Sequence, residues 1–200
     1  MILRSSPPSP FGRKVKIAAA ILGLTDKIEI VVTDTIDPSD SIRQQNPLGK
    51  IPALILADGK VVYDSRVIVE YLDMVAGGGK IIPNGPARLD TLVLQALADG
   101  IMDAGILQMY ERRFRDEAKR EPKWVEHQQG KIERALAVLE QQDVPLHATP
   151  LIGEIALACA LGYLDLRFEG EWRAKHPRLV AWLDRFAAAV PAFEKTKVTA

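Results

Sequence analysis

Cysteine is almost absent from this chain of 200 residues, and neither sign of charge is in excess. The single cysteine, Cys159, excludes an internal disulfide and a Cys-x-x-Cys redox pair. Lysine plus arginine and aspartate plus glutamate each number 26, so no bulk electric field would attract a nucleic acid or an anionic membrane surface. The three histidines, His127, His147 and His176, lack metal-ligand spacing, and we therefore expect no metal site.

Long apolar runs are also missing. No run approaches the ~18 residues that indicate a membrane-spanning helix, and the residues from Met1 to Ser5 lack the basic region and apolar core of a secretory signal. We therefore expect a cytoplasmic protein without a membrane partner. The chain does contain 48% hydrophobic and 26% charged residues, which is ordinary for a globular protein of one large domain or two small ones.

Strand and helix patterns alternate in the first part of the chain. A short apolar strand opens it, and Ser9-Pro10 supply the N-cap and first position of a helix. Residues 28–32 are rich in β-branched side chains and predict a second strand. After Pro52, two apolar runs flank a turn and predict a hairpin, and Asp64-Ser65 begin another helix. The order β-α-β followed by β-β-α predicts a mixed four-stranded sheet with helices packed on it.

The later part of the chain shows only helical patterns. Apolar residues recur at helical spacing over 88–114, 124–142 and 177–189, and residues 155–161 are apolar nearly all round, as in a buried central helix. The predicted fold class is therefore an α/β half followed by an all-α half. The predicted boundaries are an N-terminal domain over 1–77, a linker over 78–85 and a helical domain over 86–200.

Several motifs together carry a family resemblance. Ser9-Pro10-Phe11 with Arg13-Lys14-Val15, then the stretch 46–54 (Asn-Pro-Leu-Gly-Lys-Ile-Pro-Ala-Leu), then Tyr63-Asp64-Ser65 resemble the thioredoxin-fold half of cytosolic glutathione S-transferases. Residues 154–165 resemble the helical core of the same family. In this order and spacing the motifs cover nearly the whole chain, and they are most similar to bacterial members near the serine-using theta and zeta-like classes.

The resemblance implies a thioredoxin-like N-terminal domain, an all-helical C-terminal domain and a homodimer. It also implies a detoxification enzyme, a transferase that adds the thiolate of glutathione to a hydrophobic, electrophilic small molecule. Two alternatives stay open: an isomerase or dehalogenase that uses glutathione as cofactor, and a non-catalytic module that binds glutathione or a protein. Fold alone does not decide among them, and the sequence does not identify the electrophile.

Ser9 is the catalytic residue that the resemblance implies, with its hydroxyl facing the glutathione thiol. From the residues alone, a serine before proline is most often only an N-cap. Ser5 and Ser6 are nearby competitors, which we rank lower because neither directly precedes the helix.

The implied glutathione contacts come from separate parts of the chain. A cis Ile51-Pro52 bond would present backbone groups to the cysteinyl part, although most X-Pro bonds are trans. Lys50 would reach the glycyl carboxylate, unless it is a solvated loop lysine. Asp64 and Ser65 would hold the γ-glutamyl group at a helix start.

Two further implied contacts come from other helices. Asp103 would reach the same γ-glutamyl group across the dimer, unless it and Asp99 are simply solvated helix residues. Phe11 would lie beside glutathione and would also line the second-substrate pocket together with Met109, Tyr110 and Phe114, although such aromatics are more often core.

The charges beside this pocket and one helix cap complete the expectations. Three arginines beside the pocket, at 112, 113 and 115, suggest an anionic co-substrate. The family usually has Ser or Thr three residues before Glu154 as part of a capping box, but this chain has Leu151. We expect Thr149 to cap that helix one turn earlier instead.

Overall fold

The computed structural model describes residues 1–198. Its first part contains a four-stranded sheet in the order β2-β1-β3-β4, in which β1 is parallel to β2 and the other pairs are antiparallel. The strands and helices of this part are β1 (Ile2–Ser5), α1 (Pro10–Ile21), β2 (Glu29–Val32), α2 (Ile42–Gln45), β3 (Ala53–Ile55), β4 (Val61–Val62) and α3 (Ser65–Val75). The predicted mixed sheet is therefore confirmed.

The rest of the described chain is helical, also as predicted, and three short elements were not expected from the pattern: two 3₁₀ turns, at Glu117–Lys119 and Glu171–Lys175, and a last helix. The α-helices are α4 (Pro86–Phe114), α5 (Pro122–Gln141), α6 (Ile152–Arg167), α7 (Pro177–Ala189) and α8 (Pro191–Lys195). Helix α6 is the buried centre of this half, since every residue from Ile152 to Leu161 is buried.

Glycines allow α4 and α6 to approach each other closely. A Cβ atom added at Gly153 would lie 2.6 Å from the Thr91 carbonyl oxygen, which no real side chain tolerates.

Helix α4 is also long and apolar enough to cross a membrane by length and composition, with a mean hydropathy of 1.3 over its best window. Because it packs against α5 and α6, we interpret it as a core helix of the folded protein and not as a membrane span.

The cap of α6 differs from our expectation. Glu154 keeps its half of the capping box, because its Oε2 accepts the Leu151 N–H at 3.2 Å. The missing hydroxyl comes from Thr91 of α4, whose Oγ1 accepts the buried Gly153 N–H at 2.9 Å. The expectation that Thr149 caps this helix is therefore wrong, because Thr149 is exposed and makes no side-chain hydrogen bond within residues 1–198. A neighbouring helix supplies what the local sequence lacks.

Asp73 fixes the connection between the two halves. Its buried carboxylate accepts the N–H groups of three successive residues, at 79, 80 and 81, over 2.7–3.0 Å. Ile81 is fully buried, and its carbonyl accepts the Ile152 N–H at the start of α6. The connection thereby ties α3 to α6.

Candidate functional site

The sheet brings three segments of the chain to one edge. Arg4 of β1 lies opposite Ala53, so the start of β3 lies beside the end of β1. Since β4 runs antiparallel to β3, the end of β4 lies beside the start of β3. The β1–α1 loop, the Ile51-Pro52 bond and the start of α3 therefore meet at this edge.

Ser9 caps α1. Its Oγ accepts the Gly12 N–H at 3.1 Å, and Pro10 occupies the first helical position, as predicted. A serine hydroxyl can accept and donate hydrogen bonds at the same time. Here its oxygen accepts the helix N–H, so the hydroxyl proton remains free to be donated to another partner. Ser5, in contrast, is buried beneath α1, because a Cβ added at Gly12 would lie 2.1 Å from its Oγ.

The loop before β3 is shaped by Asn46. This side chain is only 2% exposed, donates to the Lys50 carbonyl at 2.8 Å and accepts the Leu48 N–H at 3.0 Å. The Ile51-Pro52 peptide bond is cis, which confirms that expectation. The Lys50 side chain is exposed and forms no ion pair within residues 1–198.

The start of α3 offers donors to an anion. Asp64 caps the helix, since its Oδ1 accepts the Arg66 N–H at 3.0 Å. Ser65 lies at the first helical position, and its hydroxyl makes no hydrogen bond to any residue that the structure describes. The first N–H groups of a helix are free of internal partners, so they and this hydroxyl can hold a carboxylate.

An ionic triad near the edge consists of a buried lysine–aspartate pair and a partly exposed arginine. The Lys14 ammonium is fully buried and lies 2.7 Å from Asp99 Oδ1, while the Arg66 Nε lies 2.8 Å from Asp99 Oδ2. Burial lowers the pKa of Lys14, and the Asp99 carboxylate opposes that shift. The triad joins α1, α3 and α4, so it connects both halves of the chain. The alternative that Asp99 is a solvated helix residue is therefore wrong.

Asp103 lies one turn after Asp99 and is exposed. Burial of part of the group and the neighbouring Asp99 carboxylate raise its pKa, while Arg66, Lys50 and Lys14 act in the opposite direction. Asp103 therefore lies close enough to Arg66 and Lys50 to feel their charges. Its expected contact with glutathione across a dimer stays a prediction.

A cavity of about 370 Å³ adjoins Ser9 between the two halves. Its walls come from the β1–α1 loop, from α6 with Tyr163 and Leu166, and from the segment around Phe193. Arg13 forms part of the floor, where it donates to the Phe193 carbonyl at 2.6 Å and lies over the Phe193 ring. Of the residues at the sheet edge, its lining includes Ser9 but not Ile51, Pro52, Asp64 or Ser65.

The sequence matches two family models that correspond to these two halves. Residues 8–75 match the glutathione S-transferase N-terminal domain, and residues 122–185 match the C-terminal domain of the same family. The chain belongs to the glutathione S-transferase family. The thioredoxin-like first domain and the helical second domain predicted from the sequence are therefore confirmed.

Relatives of this glutathione S-transferase family member span its whole length. The uncharacterized GST-like protein YibF of Escherichia coli K12 is 36% identical over 185 residues, which cover 90% of each chain. A glutathione transferase family member of Pseudomonas fluorescens Pf-5, crystallised with bound glutathione, is 42% identical with a TM-score of 0.93, covering 100% of this chain and 99% of that one. A second structure from the same organism, with bound S-(propanoic acid)-glutathione, has 41% identity, a TM-score of 0.89 and full coverage of both chains.

The four side chains predicted to line a second-substrate pocket are not all brought together. Tyr110 and Phe114 are exposed and meet edge to face, with ring centroids 5.2 Å apart. Phe11 lies instead near the Lys14 ammonium, 5.4 Å from its ring centroid. None of these residues, nor Met109, lines the cavity beside Ser9. Their role in binding a second substrate stays a prediction.

Two functional features escaped the sequence reasoning. The first is the Lys14–Asp99 pair, for which the signal was a lysine four residues before Ala18 on the apolar stripe of α1. The second is Asn46, whose amide orders the loop before β3.

Cys159 is fully buried, and burial raises its pKa to about 11, so its thiol stays protonated at neutral pH. Within residues 1–198 no three His, Cys, Asp or Glu side chains form a metal-binding group.

Proposed function

We propose that this protein is a glutathione transferase that conjugates the glutathione thiolate to a hydrophobic, electrophilic small molecule. The observation that carries the proposal is the position of Ser9, at the start of α1, on the sheet edge and beside the cavity between the halves. The bound S-(propanoic acid)-glutathione in the Pseudomonas relative supports a conjugate as the product. We assign the chain to the serine-using, theta or zeta-like members and keep the domain boundaries at 1–77, 78–85 and 86–200.

The thiol needs help to ionise. A thiol with a pKa near 8.5 is only about 3% thiolate at pH 7, and lowering that pKa by two units requires about 2.7 kcal/mol. A hydrogen bond donated to a charged sulfur contributes about 1.5–3 kcal/mol, and a helix N-terminus adds about 0.3–1 kcal/mol. Ser9 supplies the first because its O–H is not used by the helix, and α1 supplies the second. The sulfur remains the nucleophile, and no covalent bond to the protein forms.

The same edge has groups for the rest of the tripeptide. The Ile51 backbone would pair with the cysteinyl part, and Lys50 would meet the glycyl carboxylate. Ser65 and the N–H groups of α3 would hold the γ-glutamyl carboxylate. Asp64 would face its ammonium, and Asp103 would reach the same ammonium across the dimer. Each of these side chains is exposed or has an unused hydrogen-bonding group, which is what a binding site for a charged peptide requires.

We also propose a homodimer in the cytoplasm. Apolar side chains of α3 and α4 are strongly exposed in a single chain: Val67, Met74, Leu89 and Val93 range from 50% to 68% exposure. Two such neighbouring helices suit a second copy of the chain, because large apolar patches on a monomer usually mark an interface.

The test is a set of Ser9 variants. In Ser9→Ala we expect the pKa of the bound thiol, read from thiolate absorbance against pH, to rise by about one to two units. Because the thiolate fraction at pH 7 falls with this rise, turnover at neutral pH should fall by about 3- to 25-fold, while the glutathione dissociation constant changes little. Ser9→Thr retains a capping hydroxyl and should recover most of the activity. Unchanged turnover in Ser9→Ala would remove Ser9 from the mechanism.

Binding and chemistry are separated by two further measurements. Calorimetric titration with glutathione tests whether the peptide binds at all. Product analysis with a panel of electrophiles then distinguishes a conjugate, which retains the glutathionyl group, from an isomerised or dehalogenated product, which does not. Glutathione binding without turnover of any electrophile would favour the non-catalytic alternative.

A further inference from the structure

Arg4 is an arginine in the centre of the sheet. It lies on β1 between β2 and β3, and only 6% of its surface is exposed. A guanidinium there is stable only if its N–H groups are satisfied, because burying an unpaired charge is strongly unfavourable. Every branch of this guanidinium has a partner, and all the partners lie in one segment of the chain.

That segment is 33–45, between β2 and the end of α2. Arg4 Nε donates to Thr33 Oγ1 at 2.8 Å, and Nη2 lies 2.7 Å from Asp40 Oδ1. Nη1 donates to Ser41 Oγ at 2.9 Å and to Gln45 Oε1 at 2.8 Å. The Asp40 carboxylate also accepts the Ile42 N–H, which fixes the start of α2.

The segment has few other contacts with the sheet. Residues 36–39 are exposed, and α2 is a single turn of four residues that buries only Ile42. A four-residue helix is not stable in water by itself. Other hydrogen bonds of the segment, such as those that Arg43 donates to the Thr35 and Asp37 carbonyls, stay within it. Its attachment to the rest of the domain therefore depends mainly on Ile42, on the Thr33 N–H bond to the Ser5 carbonyl and on the four side-chain contacts of Arg4.

The end of the segment leads directly into the proposed glutathione edge. Gln45, which Arg4 holds, is followed by Asn46, and the Asn46 amide donates to the Lys50 carbonyl at 2.8 Å. The next peptide unit contains the Ile51 backbone. A continuous series of contacts thus runs from Arg4 to the loop expected to contact the peptide.

We propose that Arg4 is a positioning residue for glutathione. It holds 33–45 against the sheet so that the Lys50 and Ile51 groups are already arranged when the peptide arrives. This inference rests on the proposed function, because it concerns the same site. Arg4 itself does not contact the reacting atoms, so its loss should lower the population of the binding-competent loop without changing the chemistry at Ser9.

The experiment compares wild type with Arg4→Met. When the competent loop is populated about one-tenth of the time, the apparent glutathione dissociation constant rises about tenfold. We expect that rise, with kcat at saturating glutathione within a factor of about two of wild type. Hydrogen exchange should accelerate at residues 34–50 and remain unchanged in α4 and α6.

Three other variants sharpen the result. Arg4→Lys keeps a charge opposite Asp40 but loses the planar fork, so its dissociation constant should lie between those of wild type and Arg4→Met. Gln45→Ala removes a single contact of Arg4, so its dissociation constant should rise less than that of Arg4→Met. It provides the test if Arg4→Met does not fold. Leu139→Ala, in the core of the helical half, lowers global stability and should leave the dissociation constant unchanged.

The outcomes are distinct. A wild-type dissociation constant in Arg4→Met and Gln45→Ala, or a kcat that falls as far as kcat/KM, would overturn the positioning role and leave the proposed function intact. A shift in Leu139→Ala as large as in Arg4→Met would also overturn it, since stability alone would then explain the loss. A wild-type protein without affinity for glutathione would overturn the proposed function and this inference with it.

Discussion

Replacing Asp99 with asparagine removes the carboxylate that two cations share. The Lys14 ammonium is fully buried, and Asp99 is its only ion-pair partner within residues 1–198. Arg66 differs because about half of its side chain is exposed and water can solvate it. Breaking a buried pair by removing one partner costs about 3–5 kcal/mol, because the other charge stays buried. We therefore expect Asp99→Asn to lose about that much free energy of unfolding.

Urea unfolding followed by circular dichroism measures this loss, with an unchanged m-value showing that the unfolded state is comparable. In Lys14→Met, Asp99 keeps Arg66, so the cost should be smaller. The double variant Lys14→Met/Asp99→Asn has no buried ammonium left and should be more stable than Asp99→Asn alone. Additive losses, with a coupling energy below about 0.5 kcal/mol, would refute the triad.

The pH dependence gives an independent check of the same reasoning. Burial places the pKa of Lys14 below its usual 10.5 in the folded protein, and loss of Asp99 lowers it further. A lysine whose pKa is lower in the folded state releases its proton on folding, so the stability of Asp99→Asn should rise as pH increases toward 10.5. A deficit that does not diminish at alkaline pH would contradict a protonated, unpaired Lys14 as its cause.

Three further predictions concern single side chains. Thr91→Val removes the acceptor for the buried Gly153 N–H and should cost about 1–3 kcal/mol in urea unfolding, while Thr149→Val should have no effect. The pKa of Asp103 is raised in the folded protein, so its contribution to stability is lost as pH rises through that pKa and the side chain becomes charged. Asp103→Asn cannot become charged and should therefore raise Tm at pH 7. This gain should vanish below pH 3.8, where Asp103 is protonated in both the folded and the unfolded protein. Ser65→Ala should weaken glutathione binding in calorimetry without lowering Tm, and an unaltered dissociation constant would refute that assignment.

Features set by residues close in sequence were predictable. The Ser9 cap of α1 is a contact between residues three apart, and the Asp64 cap of α3 is one between residues two apart. The all-apolar stretch at 155–161 could only be a buried helix. Such features follow from local chemistry, so the longer helices, the strands and the mixed sheet could be derived before the structure, whereas the 3₁₀ turns and the last short helix were not.

Contacts between distant residues could not be derived in this way. Thr91 and Gly153 are 62 residues apart, and Lys14 and Asp99 are 85 apart. A lysine on an apolar stripe indicates that a buried partner exists, but only the packing of α1 on α4 determines which carboxylate it is. The predicted pocket for a second substrate is similar, because it would depend on how the two halves meet.

Polar groups near the proposed glutathione edge fall into two kinds, and the difference determines how each should respond to mutation. Arg4, Asn46 and Asp99 are buried, and their hydrogen bonds go to the protein itself. Lys50 and Ser65 keep a charge or a hydroxyl without a partner in the described chain. Groups already satisfied by the fold contribute to its stability, whereas unsatisfied groups gain only when a ligand arrives. Variants of the first kind should therefore lower stability, and they affect glutathione affinity only indirectly, as proposed for Arg4 through the segment 33–45. Variants of the second kind should lower glutathione affinity while the fold remains as stable as before.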